Sequence, residues 1–330
     1  MLLTALLLGL VGKSVGASTP RYDFEVGMWR NLHHLLYAQA LSDPAAQRVR
    51  RIRLDVQDEA TLDKLSDVEQ RTWKAARDHY VATLIGKNLL FDDEMLAIGL
   101  ALSKTASAEQ LPAAGLPRDL HRALSDAGPI YRKYWWPAHR ARARQWASEA
   151  QALLDAHGAK LRPRLEAVYA VAWPDEPVVV DLVYYANSSG AYTILGPTRI
   201  AIATSDAGNW NQAALEILLH ETTHAMLGPL QQQLDRLAEV AKARPGADVK
   251  ALRRDLWHEV QFFLTGAVVA RELPGYRPYA DKNDLWSLAW PGRDRTVIES
   301  EMTPYLEGEK SLGSALQALV DSLVSRQAQK

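Results

Sequence analysis

Leu219-His220-Glu221-Thr222-Thr223-His224-Ala225-Met226 carries the pattern H-E-x-x-H. Ala214, Leu215, Leu218, Leu219 and Met226 recur around it at helical spacing, which predicts an amphipathic helix. Residues four apart share one face of a helix, so His220 and His224 aim two imidazoles at a single ion. Glu221 stands about 100° further round, within reach of a water on that ion. Zinc in catalytic sites keeps three protein ligands and one open position, and it brings the pKa of bound water to about 7. A carboxylate beside that water can take its proton and hand it to a leaving group. Asp206 and Asn209 offer caps for the start of the helix, and Gly228-Pro229 is expected to close it.

The residues before the motif read as strands. Pro177 to Tyr185 is β-rich, 187–190 is a turn cluster, and 191–195 and 198–203 make two more strands around Gly196-Pro197. Together with H-E-x-x-H, this order resembles the zincin metallopeptidases. That resemblance implies a small twisted sheet before the motif helix, with 191–195 as an edge strand able to pair with an extended peptide.

Two histidines leave the metal one protein ligand short. The next strong helical pattern, about 248–271, contains Leu256-Trp257-His258-Glu259-Val260-Gln261-Phe262-Phe263. His258 and Glu259 diverge by about 100°, so one of them is expected at the ion, and zinc accepts either an imidazole or a carboxylate. The zincin resemblance implies Glu259. A second resemblance implies His258. Asn31-Leu32-His33-His34-Leu35-Leu36-Tyr37, the motif itself and Leu256–Gly266 are similar to segments of an uncharacterised family of secreted bacterial proteins. Those segments read N-L-H-H-F-L-Y, H-E-A-S-H and L-W-H-A-x-L-F-Y-T. On this pattern the expected ligands are His220, His224 and His258, with Glu259 as the alternative. Glu216, one turn before His220, is a candidate to orient that imidazole. Tyr192, Tyr276 and Tyr279 are candidates to donate a hydrogen bond to a developing oxyanion. His33 and His34 are adjacent on a helix and cannot chelate one ion; one of them is a candidate to line the cleft.

Composition narrows the class. Of 330 residues, 48% are hydrophobic and 23% charged, which is enough for a sizeable core. The formal charge of −1 gives no basis for a nucleic-acid or anionic-lipid partner. With no cysteine, disulfides, thiolate catalysis and Cys-type zinc sites are excluded. Residues 1–17 read as a signal peptide: Leu2 to Val11 is almost wholly apolar and Val15-Gly16-Ala17 supplies small residues at its end. The run is too short to span a bilayer, so a periplasmic or secreted bacterial protein without a stable membrane span is expected.

The remainder reads as helices. Patterns run over 29–41, 62–86, 92–102 and 136–157, with breaks expected at Gly115-Leu116-Pro117, Gly128-Pro129 and Gly158. A last helix is expected from Leu312 to Gln327. Trp135-Trp136 reads as core. The expected fold is α+β, mostly α and zincin-like. A helical N-terminal lobe (18–172) is followed by a metal-binding catalytic lobe (173–330) with a short mixed sheet. The function implied is an exported zinc-dependent hydrolase, a metallopeptidase in kind, acting on a peptide or amide with Glu221 as general base. The alternative is a non-catalytic zincin-like protein that binds metal or a partner in the envelope.

Overall fold

The computed structural model describes residues 18–42, 52–103, 110–111, 114–187, 190–244, 252, 255–290 and 295–327. Residues 1–17, read above as a leader, lie outside them. The described elements are β1 (Tyr22–Glu25), α1 (Met28–Leu41), α2 (Val56–Thr61), α3 (Asp67–Thr83), α4 (Asp93–Ser103), α5 (Arg118–Tyr134) and α6 (Trp136–Tyr169). Then come β2 (Val178–Val183), β3 (Ala191–Ile194), β4 (Arg199–Ala203), α7 (Gln212–Thr223), α8 (Gly228–Lys242) and α9 (Leu256–Glu272). The chain finishes with α10 (Tyr279–Lys282), α11 (Leu285–Leu288), α12 (Arg295–Leu306) and α13 (Leu312–Gln327). The protein is a mostly helical α+β fold, and none of its described helices is long and apolar enough to cross a membrane.

The strands form one mixed sheet in the order β1-β2-β4-β3. β1, β2 and β4 run parallel, and β3 lies antiparallel to β4 at the end of the order, as expected for the edge strand. Alternation along the strands splits the interior in two. Val178, Val180, Leu182, Ala191, Ile200 and Ile202 face a core shared with α6, α7, α9, α12 and α13. Val183, Tyr192, Ile194, Ala201 and Ala203 face a second core built from α1, α3, α4 and α5. β1 pairs with β2, Tyr22 opposite Val178, and α6 packs on α7 and α9. The sheet and the core beneath it therefore draw on both sides of residue 173.

Two expected breaks are absent. α5 runs through Gly128-Pro129 and α6 runs through Gly158 and Pro163. A proline inside a helix costs roughly 3 kcal/mol. In α5, burial of Leu124, Ile130 and Tyr131 offsets this, at roughly 1.5–3 kcal/mol for each large apolar side chain. The glycines answer to packing. A Cβ on Gly128 would stand 2.5 Å from two ring carbons of Trp29, and one on Gly158 would stand 2.9 Å from Cδ of Pro20. Gly128→Ala should therefore destabilise the protein by about 1–3 kcal/mol, although alanine is the better helix former by about 1 kcal/mol. A higher denaturant midpoint in this variant would show that the Trp29 contact yields freely.

Candidate metal centre

α7 lies beneath the sheet, packed against α6, α9 and β3, and Ala213–Thr223 is wholly buried. The expected caps act elsewhere. The Asp206 side chain accepts from the Gly208 N–H in a short 3-10 turn, and Asn209 donates to the Gly190 and Ala203 carbonyls. Asn211, at φ +58°, precedes α7 instead. The α-helix stops at Thr223, and His224–Met226 continues as a 3-10 turn. Gly228-Pro229 opens α8 rather than closing the motif helix, because proline is tolerated in a first turn, where no intrahelical acceptor is needed.

α9 crosses α7 and presents His258 from its first turn. One ligand atom from each of His220, His224 and His258 lies within 4.8 Å of the others, a group that could hold a metal ion. Nε2 of His220 and Nε2 of His258 are 3.2 Å apart. Two nitrogens at zinc distance from one tetrahedral ion lie roughly 3.3 Å apart, so this spacing fits a shared ion. Glu259 is fully buried and stands outside the group.

The surroundings keep the imidazoles neutral, the form that ligates a metal. Phe262 stacks on His220 with centroids 3.7 Å apart, and Trp257 lies 5.0 Å from His258 and 5.7 Å from His224. Burial holds His220 well below the usual histidine range, with His224 and His258 adding to the effect. His224 falls to about 3 through burial and the neighbouring His258. Burial takes His258 to about 4, with Asp255 opposing.

Glu221 stands beside this cluster. Its Oε2 is 3.8 Å from Nε2 of His224 and 2.6 Å from the Thr193 hydroxyl. Burial raises its carboxyl to about 7, and the Thr193 hydrogen bond opposes the rise. Thr193 projects from β3 toward α7, whereas its neighbour Tyr192 faces the opposite core. The Tyr192 hydroxyl accepts from Arg30 and lies 3.4 Å from Nε2 of His34. His33 meets the Tyr80 hydroxyl at 2.8 Å, and His34 donates from Nδ1 to the Tyr185 carbonyl. Tyr192, His33 and His34 thus form a buried polar group across the sheet from the three histidines.

Glu216 and the two later tyrosines form another group. The Glu216 carboxylate accepts the Tyr279 backbone N–H at 2.8 Å, and the Tyr276 hydroxyl lies alongside it. The Tyr279 hydroxyl donates to Asn209. Glu216 does not orient His220. Its Oε1 and Nδ1 of His220 are both buried without a hydrogen-bond partner among the described residues. Burial raises Glu216 to about 7. The folded chain thus keeps this proton up to about pH 7, while the unfolded chain loses it near 4.5. Stability conferred by the protonated form is lost as pH rises through that window. The interval corresponds to on the order of 3 kcal/mol. Glu216→Gln should match the wild type below pH 4.5 and gain on it up to pH 7, then level off. Melting curves across pH read this, and a constant difference would refute a buried neutral Glu216.

Thr193 and Phe262 escaped the sequence reading. A threonine in a strand and a phenylalanine in a helix are ordinary core residues; only the β3–α7 and α7–α9 contacts bring them to the site. No family model, curated protein or solved structure matches the chain.

Proposed function

We propose that this chain is an exported zinc-dependent hydrolase, a metallopeptidase in kind. The observation that carries the reading is the convergence of His220, His224 and His258 with a carboxylate, Glu221, 3.8 Å from one of them. When bound, zinc in a three-histidine site polarises a carbonyl and acidifies water. Glu221 then accepts a proton at Oε2 and returns it to the leaving amine. Its burial raises its proton affinity toward neutrality, which suits both steps. Thr193 holds the carboxylate from below. The edge strand β3 could align an extended peptide beside the histidines. Export rests on the reading of residues 1–17.

The test is hydrolysis of a mixed peptide library by the zinc-loaded protein. Cleavage should vanish on chelation and return with zinc. A protein that binds zinc stoichiometrically and cleaves nothing would favour a second reading, a metal- or partner-binding envelope protein without turnover. The engagement of Glu221 Oε2 by Thr193 is the observation that speaks for that alternative.

A further inference from the structure

We infer that Gln261 is a positioning residue for the metal centre, a side-chain clamp that sets the relation among all three histidines. The inference rests on the zinc-site reading above and concerns a residue with no ligand atom of its own in the cluster.

In a continuing α-helix the N–H of residue 224 would bond the carbonyl of residue 220. Here the His224 N–H is directed to the Thr222 carbonyl as the chain tightens into a 3-10 turn. The His220 carbonyl, in the last turn of α7, takes two side-chain donors. The Thr223 hydroxyl donates to it at 2.9 Å, and the Gln261 amide donates to it at 2.9 Å. The same amide lies 3.0 Å from the Thr223 hydroxyl. Gln261 is fully buried, so these bonds form away from competing water, where an unmet carbonyl would cost about 1–3 kcal/mol.

Its place in the sequence makes the bond consequential. Gln261 follows His258 by three residues, so both lie on neighbouring positions of one face of α9. The amide therefore ties the backbone of the first ligand to the helix that carries the third. It also bonds the hydroxyl of Thr223, the residue that precedes the second. Spacing between His220 and His258, now 3.2 Å between Nε2 atoms, depends on the register of α9 against α7. Phe262 fills the same contact by stacking on His220, but an apolar ring supplies no directional bond. Gln261 supplies that direction.

Three variants test the clamp. Gln261→Met keeps the length of the side chain and removes both donors. Thr223→Val removes the other donor to the same carbonyl and serves if the first does not fold. Tyr80→Phe removes a buried hydrogen bond to His33 across the sheet and controls for general loss of stability. Zinc affinity of the folded protein and the visible spectrum of the cobalt-substituted protein are measured for each. Supporting groups around metal ligands typically contribute 10–100-fold to affinity. The clamp predicts a loss of that size and an altered cobalt spectrum in Gln261→Met or Thr223→Val, with neither change in Tyr80→Phe. Wild-type affinity and spectrum in both clamp variants would overturn the inference while leaving the zinc site standing. An equal loss in Tyr80→Phe would also overturn it. A wild-type chain that takes up neither zinc nor cobalt would remove the zinc site and the clamp together.

Discussion

Changing His258 to alanine should abolish stoichiometric zinc binding, whereas changing Glu259 to glutamine should leave about one zinc per chain. His258 places its Nε2 3.2 Å from that of His220, while the Glu259 carboxylate stands outside the group of converging ligand atoms. Structural zinc sites with four protein ligands bind with apparent energies of about 10–16 kcal/mol. One ligand's share of that is roughly 2.5–4 kcal/mol, so removing it should weaken binding by roughly 70- to 900-fold. Metal analysis after dialysis against a weak chelator reads this directly, and circular dichroism checks that each variant is folded. Zinc retained in His258→Ala would place the third ligand elsewhere. Zinc lost in Glu259→Gln would bring that carboxylate into the site.

The second large effect is expected at Glu221. Glu221→Gln should keep the fold and the zinc and lose hydrolysis by about 10²–10⁴-fold, the usual range for a general acid–base group. The glutamine is isosteric and can still accept from Thr193. It also removes a carboxyl whose pKa burial raises to about 7, so the variant should melt no lower than the wild type above neutral pH. Turnover measured beside zinc content separates the roles. Full activity in a zinc-loaded Glu221→Gln protein would exclude Glu221 as the base. A loss of zinc in this variant would make it a ligand or a support instead.

Much of the site was legible because its signals are local. His220, Glu221 and His224 span little more than one helical turn, and their spacing alone puts two imidazoles on one face. β2, β3, β4 and α13 were readable for a similar reason, since each has its own composition and periodicity. Punctuation failed where tertiary packing overrode it. Gly128-Pro129 and Gly158 look like breaks in a line of text, yet α5 and α6 pass through them. At Gly128 and Gly158 another segment needs the space that a Cβ would fill. β1 was invisible because its four residues become a strand only by pairing with β2, more than 150 positions away.

The amino-acid sequence by itself determined the spacing of His220, Glu221 and His224 on α7 and narrowed the candidate third ligand to two neighbours about 100° apart. Which neighbour turns to His220 and His224 depends on the rotation of α9 against α7, and no periodicity within α9 encodes that angle. Packing decided it, bringing His258 to His220 and sending the hydroxyl of Tyr279 to Asn209 and that of Tyr276 toward Glu216. The same packing put Thr193 under Glu221 and Tyr192 on the far side of the sheet, because adjacent strand residues face opposite ways. Contacts between elements distant in the chain carry no local signature, which is why the histidine pair could be read from the motif and the shell around it only from the fold.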